Sequence, residues 1–242
     1  MNKLPLTAAV GLCAYLGLAG VPADAAPPPE FTATYRIEKG SLSGRMIMTL
    51  RRDGRLWRLE SRSEPSGILS MFDRAYITES SVLEERAEGL RPIAYRYTGG
   101  KKPSKRDVSS YFDWNDGELK STRGGDTLTV ELHNGTFDNL SVILEVAAKL
   151  RSGPVDVEIP IAAKGEIRAS RFVQEDEETV EVEAGSFKAL RVQEFRGERK
   201  RTVSWFAPRQ HYLPVRIDRY RNGEREGGME LLAVEWLPAQ QN

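Results

Sequence analysis

Short runs of alternating apolar and polar residues recur along most of this 242-residue sequence. In residues 31–38, for example, every second residue is Phe, Ala, Tyr or Ile. Successive side chains of a β-strand point to opposite faces, so this alternation is typical of a strand with one buried face. Turn sequences such as Asp53-Gly54 and Asn222-Gly223 separate the runs and favour hairpins. We expect about 14 strands, at the spacing of an antiparallel sheet.

One segment, residues 138–151, has helical spacing instead. Its apolar stripe consists of Leu140, Ile143, Leu144, Ala147 and Leu150. Asp138 is a typical N-cap, because its carboxylate can accept from the free amides of a first turn, and Gly153-Pro154 favours an end to the helix. A lone amphipathic helix among strands usually covers an apolar sheet face. The sequence therefore predicts a mainly β protein, in which one large antiparallel curved sheet or open half-barrel packs against this helix.

The N-terminal residues have the pattern of an export signal. Lys3 precedes a largely apolar stretch, and Ala23-Asp24-Ala25 offers the small residues that signal peptidase requires. We predict a cleaved signal peptide at residues 1–25, a Pro-rich spacer at 26–30 and a single β-rich domain at 31–238. A membrane anchor is the alternative, which the prolines and the single flanking lysine disfavour. The expected location is the periplasm, with no membrane span after cleavage.

Composition excludes several classes of function. Cys13, the only cysteine, lies in the predicted signal peptide, so the mature chain would have no thiol for a disulfide, a zinc–thiolate site or a nucleophile. The 35 basic and 35 acidic residues balance, whereas a nucleic-acid-binding domain would have a basic excess.

No motif predicts a catalytic residue, a metal site or a cofactor. His133 and His211 are far apart and lack metal-ligand spacing. Ser141 lacks the Gly-x-Ser-x-Gly context of a nucleophile, and in a helix capped by Asp138 its hydroxyl would bond locally to the backbone. The acidic run 175–178 is typical of a solvated turn.

The candidate ligand-binding residues are apolar. Residues 67–72 form an apolar loop that either packs into the core or borders a hydrophobic cavity. A curved sheet around a helix can leave a concavity suited to an acyl chain. On that interpretation the residues that contact an apolar ligand are Ile68, Leu69, Met71, Phe72, Leu140 and Leu144. The basic stretch 99–106 is typical of a surface hairpin loop, with contact to an anionic lipid or polysaccharide as the alternative.

Several short motifs together carry a resemblance to a known family. They are Phe31-Thr32-Ala33-Thr34-Tyr35, Phe137-Asp138-Asn139-Leu140-Ser141, Gly185-Ser186-Phe187, Trp205-Phe206 and Leu213-Pro214-Val215-Arg216. In this order the chain resembles the exported bacterial family called domain of unknown function 3108. The resemblance implies a periplasmic β-rich protein of Gram-negative bacteria, with Asp138, Ser141, Trp205 and Pro214 as structural motif residues. It implies no activity. The outline is similar to the half-barrels of lipoprotein carriers and envelope-stress sensors, which is an analogy of fold only.

Three functions are compatible with the sequence. The first is a non-catalytic periplasmic protein that holds a lipid, another apolar ligand or a lipidated partner in the sheet concavity. The second is an accessory envelope protein that binds a partner protein through a sheet edge or the loop 67–72. The third is a hydrolase of envelope polymers that uses a carboxylate pair. Periodicity favours the first two over the third and does not separate them.

Overall fold

The computed structural model describes residues 27–40, 42–66, 76–100, 102–197 and 199–238. These residues form fifteen strands and one α-helix, so the protein is mainly β, as predicted. The elements in chain order are β1 (Phe31–Lys39), β2 (Leu42–Asp53), β3 (Leu56–Pro65), β4 (Ile77–Arg86), β5 (Gly89–Gly99), β6 (Val108–Asp113), β7 (Glu118–Arg123), β8 (Asp126–Glu131), β9 (Phe137–Asp138), α1 (Val142–Ser152), β10 (Asp156–Ala163), β11 (Glu166–Val182), β12 (Gly185–Arg196), β13 (Lys200–Ala207), β14 (Leu213–Arg221) and β15 (Glu224–Trp236).

All fifteen strands belong to one sheet. Its order is β8-β7-β6-β5-β4-β3-β2-β1-β15-β14-β13-β12-β11-β10-β9. Strands that are consecutive in the sequence are therefore neighbours, except β8 and β9, which form the two edges of the sheet. The sheet is joined in its middle by the pairing of β1 with β15, where Phe31 lies opposite Trp236. Because the strands of β1–β8 and of β10–β15 are antiparallel meanders, the hairpins β1–β2, β5–β6, β7–β8, β10–β11, β12–β13 and β14–β15 all turn at the same end of the sheet.

The sheet curls so that its apolar face is enclosed. In β1 the buried residues alternate with less buried ones, and Phe31, Ala33 and Tyr35 are 1% exposed or less. The two ends of the sheet approach each other without closing. At Gly165, in the β10–β11 turn, an added Cβ would lie 2.9 Å from Leu128 Cδ1 of β8. The resulting core is an open, barrel-like interior.

Helix α1 fills part of this interior. Its buried residues Val142, Leu144, Val146, Ala147 and Leu150 recur at helical spacing, and Lys149 pairs with Glu145 at 3.1 Å on the more exposed side. The helix ends where the Gly153 amide donates to the Lys149 carbonyl, with the backbone of Gly153 in the left-handed region. The helix contacts β5 in one half of the sheet and β9 in the other, so it lies between the two halves of the curled sheet.

The helix begins four residues later than predicted. Asp138 is not its N-cap, because it belongs to β9, and Ser141 is the residue that precedes the first helical turn. The prediction was wrong because Leu140 has the spacing of the helical stripe although it lies in the preceding turn. Leu140 is buried there by the tertiary fold and not by a helix.

Two further expectations about the sheet are corrected. The acidic run 175–178 is not a turn but part of β11, a single strand of 17 residues. Its register against β12 shifts between Gln174 and Glu177, so a β-bulge takes the place of the expected turn. The sheet is also mixed, because β9 pairs with β10 in parallel.

No helix in the described part of the chain is both long enough and apolar enough to cross a membrane.

Candidate functional site

A cavity of about 540 Å³ occupies the interior of the curled sheet on one side of α1. Its floor includes Val142, Ile143 and Val146 of the helix. Its walls are the inner faces of strands from both halves of the sheet, and its mouth lies at the end where the β5–β6, β7–β8, β10–β11 and β12–β13 hairpins turn. A volume of this size is typical of small-molecule binding sites.

The wall formed by β13 changes from apolar to cationic along its length. Its inner-face residues, from the floor to the mouth, are Phe206, Ser204, Thr202 and Lys200, and all four line the cavity. Six strand positions separate Phe206 from Lys200, which corresponds to about 20 Å. The cavity therefore has an apolar lower part and a charged entrance.

The neighbouring strands repeat this gradient because they are in register with β13. Val192 and Ile217 flank Ser204, whereas Glu194 and Arg219 flank Thr202 one level nearer the mouth. On the other side of the cavity, the inner face of β7 carries Leu119, Ser121 and Arg123 in the same direction. The basic residues that line the cavity are Arg106, Arg123, Lys164, Arg196, Lys200, Arg201 and Arg219.

The lining carboxylates each have a partner. Glu194 pairs with Arg196, and Glu226 pairs with Arg221 at 2.6 Å. Glu79 accepts a hydrogen bond of 2.8 Å from the Tyr95 hydroxyl. Burial raises the pKa of Glu79, while the hydrogen bond from Tyr95 and the charge of Arg219 oppose the increase. Burial, with the neighbouring Glu79 carboxylate, also raises the pKa of Tyr95, so this phenol stays protonated as the donor.

A buried polar cluster joins the sheet to the segment before α1. Asp138 is 0% exposed, and its carboxylate accepts from the Ser81 hydroxyl at 2.7 Å, the Leu140 amide at 2.9 Å, the Ser141 amide at 2.8 Å and the Ser141 hydroxyl at 2.7 Å. Burial raises the pKa of Asp138, and these four hydrogen bonds oppose the increase. Asp138 and Ser141 therefore connect the helix entry to β4, and their assignment as structural motif residues stays a prediction.

The predicted ligand-binding residues divide into two groups. Ile68, Leu69, Met71 and Phe72 lie outside the described residues, so their contact with a ligand stays a prediction. Leu140 and Leu144 are buried in the core. Leu144 also lines a second pocket of about 700 Å³ at the other end of the helix, together with Pro27 and Pro28 of the predicted spacer. From the helical segment, the residues that line the cavity itself are Asn139, Val142, Ile143 and Val146.

The remaining predicted motif residues have packing roles away from the cavity. Trp205 donates its indole N–H to the Glu178 carboxylate, and the Arg216 guanidinium lies 5.1 Å from its ring. The Pro214 carbonyl accepts a hydrogen bond of 3.1 Å from the buried Tyr35 hydroxyl. Of the two histidines, His133 is exposed in a turn and His211 packs against Trp236.

Sequence reasoning missed the cationic mouth. Each strand shows it only as a basic residue that continues the inner-face alternation beyond the apolar positions, as Lys200 does after Phe206, Ser204 and Thr202. This signal is visible in the sequence, but a single strand gives no reason to treat the cation as more than a strand end. Within the ranges that the structure describes, no three His, Asp, Glu or Cys side chains come together as metal ligands.

Comparison with solved structures supports the fold. The chain is similar to a protein from Brucella abortus described as a beta-barrel-like protein of domain of unknown function DUF1849, with a TM-score of 0.59 and 13% sequence identity. The match covers 88% of this chain and 99% of the other. At this identity the likeness concerns the fold alone. No curated protein matches the chain.

The family comparison agrees with the resemblance found in the sequence. A model described as "Protein of unknown function (DUF3108)" matches residues 30–226, which is most of the chain and nearly all of the sheet. The chain belongs to the DUF3108 family of proteins of unknown function.

Proposed function

We propose that this protein is a non-catalytic carrier or sensor that binds a lipid or another ligand with an apolar chain inside the curled sheet. The observation that carries the proposal is the cavity of about 540 Å³, whose floor includes the apolar side chains of Val142, Ile143 and Val146 and whose mouth is polar. Burying an apolar chain removes about 25 cal/mol of unfavourable hydration free energy per Å² of surface. A preformed apolar concavity is the type of site in which that gain is available.

The state of the carboxylates supports binding over acid–base chemistry. A glycoside hydrolase would need two carboxyl groups that face each other across a bond to be cleaved. Glu79 and Glu194 line the cavity, but Glu79 is bonded to Tyr95 and Glu194 to Arg196. Export through the predicted signal peptide, and residence in the periplasm, are part of the same proposal and rest on the sequence pattern of residues 1–25.

A neutral fluorescent probe tests the proposal. N-phenyl-1-naphthylamine is uncharged and fluoresces strongly in apolar surroundings, so we expect saturable binding with one site per protein. Ser204→Trp places a large ring between Val192 and Ile217, at the apolar level of the wall. We expect this variant to lose at least about tenfold in affinity, equivalent to about 1.4 kcal/mol.

The matched control is Ser109→Trp, because Ser109 is exposed on the outer face of β6. Circular dichroism melts establish that both variants are folded. Binding that is not saturable in the wild-type protein would overturn the proposal. A folded Ser204→Trp protein with wild-type affinity would do the same, since the probe would then bind elsewhere.

A further inference from the structure

We infer that the ligand is an anionic amphiphile, which places a carboxylate or phosphate group at the cationic mouth and its apolar chain on the floor beside α1. This inference rests on the proposed function and adds the chemical class of the head group and the direction in which the ligand enters. It follows from the distribution of charge between the inner and outer faces of the sheet.

On the outer face, several basic side chains are neutralised by their neighbours. Arg171 pairs with Asp156 at 2.8 Å, Arg62 with Glu64 at 3.0 Å and Lys120 with Glu118 at 3.0 Å. Cross-strand and same-face pairs of this kind are the usual way in which a sheet carries charge in water. Each of these three cations already has a carboxylate partner within the protein.

At the mouth, four of the basic residues that line the cavity are not neutralised in this way. No ion pair with a carboxylate of the described residues is formed by Arg106, Arg123, Lys164 or Lys200. They come from four different turns and strand ends, so the fold brings them together from distant parts of the sequence. A concave surface lined by one sign of charge concentrates its field at the opening.

The acids that line the cavity do not cancel this excess. Glu226 is engaged by Arg221, which is not a lining residue, and Glu194 by Arg196. Glu79 lies deeper, on the wall of β4, where it accepts a hydrogen bond from the Tyr95 hydroxyl. Among the described residues, no carboxylate engages Arg106, Arg123, Lys164 or Lys200, so these four cations are placed to meet an anionic ligand.

The same arrangement fixes the orientation of the ligand. For an acyl chain the binding free energy is most favourable where water is excluded. This is the apolar level next to the helix, formed by Val192, Phe206 and Ile217. For an anionic group the free-energy cost of desolvation is smallest at the mouth, because there it stays hydrated and contacts fixed cations. Since about 20 Å of strand separates the two levels, a molecule with a chain and one charged end fits both.

A series of three twelve-carbon ligands tests the inference, with displacement of N-phenyl-1-naphthylamine as the readout. The ligands are dodecyl phosphate and dodecylamine, each below its critical micelle concentration, and dodecanol below its solubility limit. We expect dodecyl phosphate to bind at least about tenfold more tightly than dodecanol, and dodecylamine to bind most weakly. Raising the salt concentration should weaken only the phosphate, because the mouth cations are solvent-accessible and the Debye length falls from about 10 Å at 0.1 M to about 3 Å at 1 M.

A charge-reversed protein locates the head group. In Arg123→Glu/Lys200→Glu, we expect dodecyl phosphate to lose at least about tenfold in affinity and dodecanol to change by less than about twofold. The control is Arg55→Glu/Arg209→Glu, which reverses two exposed cations at the end of the sheet opposite the mouth. It should bind all three ligands as the wild type does.

Each outcome decides the question. Equal affinities for phosphate and alcohol, or no effect of the Arg123→Glu/Lys200→Glu change, would overturn the anionic head group and leave the apolar site of the proposed function intact. Binding of none of the three ligands would overturn both proposals. Inorganic phosphate alone should not displace the probe. If it does so at the concentration at which dodecyl phosphate acts, the mouth is a site for free phosphate and the inferred amphiphile is wrong.

Discussion

The most constrained residue of the described chain is a buried acid. Asp138 has no exposure to solvent, and its carboxylate accepts four hydrogen bonds from Ser81, Leu140 and Ser141. A buried carboxylate without such partners would be strongly destabilising. Ser81 is on β4, 57 residues earlier in the chain, so this one group fixes the entry to the helix against the opposite half of the sheet.

We expect Ser81→Ala to lower the free energy of unfolding by about 2 kcal/mol, because it removes a buried hydrogen bond to a charged group. Ser80→Ala is the control, since Ser80 is the next residue of β4 and points to the outer face. It should change stability by less than about 0.5 kcal/mol. Urea unfolding of the two variants makes the comparison. Equal effects would mean that the Ser81–Asp138 bond does not stabilise the fold.

Glu79 gives a prediction about pH. The pKa of Glu79 is raised above its ordinary value of 4.5, so the folded protein binds this proton more tightly than the unfolded protein does. The free energy of unfolding should therefore fall as pH rises from about 4.5 to the raised pKa, and level off above it. Asp138 contributes with the same sign.

Glu79→Gln removes the titration of Glu79 and leaves that of Asp138 in place. Relative to this variant, the wild-type protein should lose stability across the same pH window, by at most about 1.4 kcal/mol per pH unit. Urea unfolding at a series of pH values measures the difference. A difference that does not vary with pH would contradict the raised pKa of Glu79.

At the scale of the elements, α1 lies between the cavity and the second pocket inside the curled sheet. Its first residues form the floor of the cavity, and the second pocket at the other end of the helix is lined by Ala148, Lys149, Arg151 and Ser152. The helix is short and its Leu144 is 7% exposed, so its stability comes from packing in the interior. The cavity therefore exists only while the helix is packed.

We expect Leu144→Asp to prevent folding, because it buries a charge without a partner. Lys149→Gln is the control on the same helix. It breaks a partly exposed ion pair with Glu145 and should cost about 0.3–0.5 kcal/mol. Far-ultraviolet circular dichroism and urea unfolding distinguish the two. A folded, soluble Leu144→Asp protein would mean that the helix does not pack in the sheet.

Local periodicity predicted most elements and missed those that depend on distant contacts. The alternation in residues 31–38 identifies β1, since each strand carries its own pattern of burial. The start of the helix was misplaced because Leu140 continues the helical spacing although it lies in a turn. Asp138 stabilises this turn by accepting from the Leu140 amide, and Ser81 of β4 donates to the same carboxylate. The acidic run 175–178 was predicted as a turn because it is charged and exposed. In the structure it lies in β11 beside a β-bulge, and composition alone does not distinguish such an exposed strand from a turn.

The candidate site was predictable only in kind. An apolar concavity follows from a curved sheet around a helix, but its walls come from strands far apart in sequence. Lys200 and Arg123 meet at one mouth because the sheet curls until β8 approaches the β10–β11 turn. Curvature of this extent is a sum of small twists over fifteen strands, and no single stretch of sequence specifies it.

At the scale of the whole molecule, the described chain is one open, barrel-like sheet with a helix inside and a graded cavity entered from one end. The Brucella abortus DUF1849 protein has a similar fold at 13% identity, so the architecture tolerates extensive change in sequence. A fold of this kind provides a cavity, and the residues on its inner face determine which ligand binds there. Here the inner face changes from apolar at the helix to cationic at the mouth.

The most direct test of this account is a crystal structure of the protein with 12-bromododecanoic acid, in which the anomalous signal of bromine marks the end of the chain. We predict one bromine peak in contact with Val142, Ile143 or Val146, and the carboxylate among the mouth cations. A bromine peak at the mouth, in the second pocket or on the outer face of the sheet would contradict the account.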